Sequence, residues 1–164
     1  FIPKDGEIPK QESITKQYDL AKLYKSRSMS YFKLALNSIY LHYGTDPLYP
    51  LYRSRSDKQL VEDYLNDGED KEAENLLNEM LKTKGDPNKG LSYALAISQY
   101  ASLKHTNPVS ELNSYYESMK MKENIHPELL PSILMLVADY YKETGDIVLA
   151  EKTYERIRSD YPKF

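Results

Sequence analysis

The sequence predicts an all-α protein, and three observations carry that prediction. Apolar residues recur three and four positions apart through most of the chain, as one face of a helix requires. No segment alternates with the period of two that a half-buried strand shows. Short turn signals, among them Asn66-Asp67-Gly68, Gly85-Asp86-Pro87 and Thr144-Gly145-Asp146, cut the periodic stretches into single-helix lengths. Seven or eight helices in antiparallel pairs are expected.

Each element has its own signature. Residues 1–12 carry two prolines and a glycine without periodicity and read as an irregular lead-in. Ile14, Tyr18, Ala21 and Leu23-Tyr24 form one stripe; Tyr31-Phe32, Ala35-Leu36, Ile39-Tyr40 and Tyr43 form the next. Between them Ser26-Arg27-Ser28 is either a turn or part of one long helix. Gly44 ends the second stripe, and Pro47 and Pro50 forbid its continuation. The following helix is expected to begin within Ser54–Asp57, with Ser56 or Asp57 as its cap, and to carry Leu60, Val61, Tyr64 and Leu65. Its partner carries Ala73, Leu76-Leu77 and Met80-Leu81. A helix over about 87–104 shows Leu91, Ala94-Leu95, Ile97 and Ala101. Asn107 is expected to cap the next, with Pro108 in its first turn, where a missing N–H costs nothing. Val109, Leu112, Tyr115-Tyr116 and Met119 are its stripe. A last pair is expected over 126–144 and 147–159.

Composition narrows the function classes. A length of 164 residues suffices for one ordinary domain, and 40% hydrophobic with 29% charged residues is a folded rather than a disordered balance. A net charge of -3 gives no electrostatic footprint for nucleic acid. With no cysteine, disulfides, thiol chemistry and cysteine-based zinc sites are excluded. The longest apolar run, Leu129 to Val137, contains Pro131 and falls short of the roughly 20 residues that cross a bilayer. The chain begins at Phe1, so an upstream targeting or anchoring segment would make it the soluble part of a membrane-tethered protein. Sixteen tyrosines against three phenylalanines and no tryptophan suit a thin, layered array, where a ring fills the core and its hydroxyl reaches water or a backbone acceptor.

Catalytic and metal constellations are missing. His42, His105 and His126 lie far apart, each near an expected helix end, and no metal-ligand spacing joins them. The acidic run Asp67-Gly68-Glu69-Asp70-Lys71-Glu72 lacks the alternating ligands of a calcium loop and suits the positive end of a helix dipole. The six glycines are isolated, so no phosphate loop or nucleophile elbow exists. The basic stretches Lys22–Arg27 and Arg53-Ser54-Arg55 are short and read as solvated faces. No cofactor, no metal and no enzymatic activity are expected.

Internal repetition is the strongest pattern. Leu134, Val137-Ala138 and Tyr141 precede Gly145-Asp146, then Ala150, Tyr154 and Pro162. Leu60-Val61 and Tyr64 precede Gly68, then Ala73, Leu77 and Met80, with the same spacing from tyrosine to glycine to alanine. These residues resemble the tetratricopeptide repeat, with Ala138 in place of the usual glycine, Tyr154 in place of phenylalanine and Ile157 where alanine is common. The resemblance is good over 54–87 and 131–162, fair over 88–125 and weak before 45. It implies a single domain over 13–164, built from pairs at about 13–43, 54–86, 87–122 and 126–162, coiled into a right-handed superhelix.

The resemblance also implies a concave groove lined by the first helix of each pair. Its facing residues would be Arg55, Lys58, Glu62 and Leu65, then Leu91, Ala94, Ser98 and Ala101, then Ser132, Met135, Asp139 and Lys142. The expected function is a non-enzymatic adaptor or scaffold that takes a peptide or helix of a protein partner in that groove. The bland alternative is that these are solvated helix faces. A carboxylate clamp of the kind some relatives use is not expected, because Glu62, Asp139 and Lys142 mix with apolar residues there. Assembly with another subunit into an oligomer or larger complex is the second expectation, and an all-α enzyme without a recognisable motif the minor one.

Overall fold

Helical periodicity and turn chemistry together produce six helices within the described residues from 49 onwards; the computed structural model describes residues 49–86 and 89–164 with Lys16 and Asp19. They are α1 (Tyr49–Asn66), α2 (Asp70–Leu81), α3 (Gly90–Lys104), α4 (Val109–Lys120), α5 (Leu129–Glu143) and α6 (Ile147–Asp160). The chain is all-α among the described residues, which contain no strand. The lead-in over 1–12 and the helices expected over 13–25 and 31–43 lie outside the described residues, apart from Lys16 and Asp19, which are helical and exposed. Contacts divide the chain into two units, Phe1–Ser56 and Asp57–Phe164, with the boundary inside α1. In the first unit Ser54 is buried and Arg55 exposed. The packing below belongs to the second.

The ends of α1 and α5 are built alike. The Gly68 N–H donates to the Leu65 carbonyl and the Glu69 N–H to the Tyr64 carbonyl. In α5, Gly145 bonds to Lys142 and Asp146 to Tyr141 in the same pattern. This double closure needs a left-handed residue after the helix, and glycine takes that conformation without a side-chain penalty, at φ 76° for Gly68 and 82° for Gly145. Four residues on from each closure's last N–H, Ala73 and Ala150 bond back to Glu69 and Asp146 and are fully buried. Small side chains here let the second helix of each hairpin lie close to the first.

The end of α3 has the same closure without glycine. Thr106 bonds to the Ala101 carbonyl, His105 to the Ser102 carbonyl, and His105 itself is left-handed at φ 53°.

Two expected helix starts are corrected. α1 begins at Tyr49 rather than within Ser54–Asp57, because Pro50 sits in its first turn, where no N–H is needed. Pro50 therefore starts a helix rather than only ending one, and Ser56 and Asp57 are interior. Asn107 caps α4 from one residue further out than expected. Its Oδ1 accepts the Val109 N–H at 2.9 Å, while Pro108 precedes the helix. In α5, Pro131 falls in the first turn and is buried there. Asp70 and Glu72 occupy the first turn of α2, as the helix dipole favours.

The core is continuous from helix to helix. α2 packs on α3, α3 on α4, α4 on α5 and α5 on α6, while α3 also meets α5 directly. Gln99 of α3 donates to the Lys58 carbonyl of α1 at 3.2 Å, so α1, α3 and α5 are neighbours on one side. On the other, Arg156 of α6 lies 4.9 Å from the Tyr116 ring centre of α4, and the Tyr116 and Tyr161 hydroxyls share a bond of 2.6 Å. Val61, Leu77, Leu112, Ile133 and Ala138 are wholly buried at the centre. Full burial of the valine, leucine and isoleucine side chains contributes about 1.5–3 kcal/mol each. From Leu91 to Ile97 every residue of α3 is buried, which makes it the central helix of this unit.

Candidate functional site

An open cleft of about 400 Å³ lies between the C-terminal parts of α3 and α5. Both walls are helical stripes with three- and four-residue steps. α3 supplies Ser98, Ala101 and Ser102, followed by His105 and Thr106 of the turn that ends it. α5 supplies Leu136, Asp139, Tyr140 and Glu143, followed by Thr144, and Lys58 of α1 completes the lining. α2, α4 and α6 contribute no residue to it. The site thus lies on the side where α1, α3 and α5 meet.

The two walls differ in chemistry. The α3 wall is small and hydroxylated, with its imidazole held at the cleft by the left-handed closure. Carboxylates and an aromatic ring mark the α5 wall. Asp139 is anchored, since its Oδ1 accepts the Tyr154 hydroxyl at 3.0 Å. Burial, then the hydrogen bond to Asp139 and the nearby negative charge, push the Tyr154 hydroxyl above its ordinary value. Lys58 is 3.8 Å from Glu62, one turn on along α1, so its charge is partly answered before any ligand arrives. The arrangement offers hydrogen-bond donors and acceptors, carboxylates and an aromatic residue.

Of the residues expected to line a groove, Lys58, Ser98, Ala101 and Asp139 come together here. Glu62 stands beside Lys58, and Leu65 and Met135 are half-buried outside the lining. Lys142 is exposed but outside the lining, and Arg55 is exposed in the first unit. Leu91 and Ala94 are corrected: at 4% and 0% exposure they are core, because α3 is enclosed all round at that level. Asp139, expected to face the groove, also accepts the Tyr154 hydroxyl from α6. Ser102, His105, Thr106, Leu136, Tyr140, Glu143 and Thr144 line the cleft without having been expected to. Continuing the stripe from Ser98 and Asp139 by three and four residues finds each of them.

A smaller groove of about 200 Å³ lies between α4, α5 and α6, over Leu134 and Val137. Among the described residues no group of three or more His, Asp or Glu converges as a metal site. No described helix is long and apolar enough to cross a membrane. Comparison with protein-family models, curated proteins and solved structures finds no match for this chain.

Proposed function

We propose that this chain is a non-enzymatic binding module, an adaptor or scaffold that holds a peptide or helix of another protein in the cleft. In this reading the hairpins are tetratricopeptide-like repeats, stacked as a right-handed superhelix with the cleft on its concave side. One observation carries it: among the described residues the lining comes only from α1, α3, α5 and the turns that end α3 and α5. Matching spacing at Gly68 and Gly145, with the same closure at His105, supports treating the three hairpins as copies of one unit.

The test fills the cleft without touching the core. Ser102 is exposed and its side chain lines the cleft, so Ser102→Trp is expected to leave the fold intact and occupy the space. A partner captured on the immobilised wild-type chain should be lost from Ser102→Trp and kept by Lys120→Ala, an exposed change outside the cleft. Equal recovery on all three would overturn the reading.

A second reading, assembly into an oligomer, has its own observation. Ile147 and Val148 open α6 at 52% and 66% exposure, and Phe164 is 51% exposed. Assembly predicts a sedimentation coefficient that rises with protein concentration and stops rising in Val148→Ser.

A further inference from the structure

We propose that the occupant of this cleft is a protein segment presenting an arginine side chain to the α5 wall, an inference that rests on the binding reading above. The charge of the lining points that way. Asp139, Tyr140 and Glu143 all line the α5 wall, the two acidic residues one helical turn apart. The opposing Ser98, Ala101 and Ser102 bring no charge. Among the described lining residues Lys58 is the lysine, and it already lies 3.8 Å from Glu62.

Geometry favours arginine over lysine. A guanidinium is planar and donates in a fork, so it can bond a carboxylate with two parallel N–H groups while its face stacks on a tyrosine ring. An ammonium offers a point charge and gains less from Tyr140. Asp139 is already positioned by Tyr154, which reduces the ordering cost when a cation binds. The hydroxyls of Ser98, Ser102 and Thr106 are then left to bond the backbone of the incoming segment.

Four labelled nonapeptides of one Gly/Ser sequence, differing only at a central Arg, Lys, citrulline or Glu, are titrated against the folded chain by fluorescence anisotropy. The arginine peptide should bind tightest, then lysine, with citrulline about tenfold weaker than arginine because a charge-assisted bond is lost. Asp139→Asn and Glu143→Gln, each close to isosteric, should erase that preference, and added salt should weaken the arginine peptide most. Lys120→Gln, an exposed change outside the cleft, should leave the order unchanged. If Ser102→Trp abolishes binding but Glu or citrulline binds as well as Arg, the binding reading stands and the arginine inference falls. Should a random heptapeptide display library also enrich nothing on the wild type that Ser102→Trp fails to hold, both fall together.

Discussion

Tyr115 and Tyr116 are neighbours on α4, 2% and 1% exposed, yet their hydroxyls have opposite surroundings. Tyr116 shares a 2.6 Å hydrogen bond with Tyr161, which fastens the end of α6 to α4. Tyr115 packs its ring 4.5 Å from that of Tyr93, and its hydroxyl has no hydrogen-bond partner among the described residues. A buried polar group without a partner costs about 1–3 kcal/mol, whereas a formed bond contributes about 0.5–1.5 kcal/mol net. Removing the two hydroxyls should therefore act in opposite directions. Tyr115→Phe is expected to stabilise the fold by about 1 kcal/mol, and Tyr116→Phe to destabilise it by about 1 kcal/mol. Urea midpoints at unchanged slope measure both, and a loss of stability in Tyr115→Phe would contradict the assignment. Other tyrosines also tie helices together. Tyr100 donates to Asn78 of α2 at 2.7 Å and Tyr93 to Glu111 of α4 at 3.3 Å. The sequence suggested rings inside and hydroxyls at water or backbone; here those hydroxyls reach side chains of neighbouring helices.

At the scale of the element, three helix ends share one closure and differ in the residue that makes it. Glycine adopts the left-handed conformation freely, whereas a residue with a Cβ is strained there by about 1 kcal/mol. His105→Gly should then stabilise the fold by under about 1 kcal/mol, since relief of the left-handed strain is partly offset by glycine's greater freedom in the unfolded chain. Gly145→Ala should cost about 1 kcal/mol, and purely through the backbone, since nothing lies within 4 Å of an added Cβ. Thermal midpoints of the two variants should move in opposite directions. This is also where legibility divides. Gly68 and Gly145 announce their turns because few other residues suit that conformation, but His105 carries no such signal. Pro50 misleads in a different way, as the same ring that stops one helix is well placed to begin another. Half of the α3 face was readable: polar Ser98 and small Ala101 stand out, while Leu91 and Ala94 lie on a turn buried on every side, where periodicity names no face.

Across the whole unit from Asp57 to Phe164, the abundance of tyrosine has a consequence for pH. Burial is the leading cause that raises Tyr93, Tyr100, Tyr115, Tyr154 and Tyr161 above the ordinary value of 10.0. For Tyr161 the bond to Tyr116 adds to burial, and for Tyr154 the bond to Asp139 does the same. All five shifts have one sign, so their effects accumulate rather than cancel. Each hydroxyl stays protonated in the folded chain after its unfolded counterpart has ionised. Above pH 10 the unfolded state therefore binds fewer protons than the folded state, and stability falls as pH rises. Below pH 10 both states are protonated and the contribution is fully present. A tyrosine that ionises only on unfolding removes about 1.4 kcal/mol per pH unit while the pH lies between its two values. Denaturant midpoints should accordingly be insensitive to these groups between pH 7 and 9 and drop steeply beyond pH 10. Tyr115→Phe deletes one of the five titrations and should flatten the alkaline limb as well as raise the plateau. An alkaline limb as steep in Tyr115→Phe as in the wild type would mean that Tyr115 ionises alike in both states, and that its burial carries no electrostatic cost.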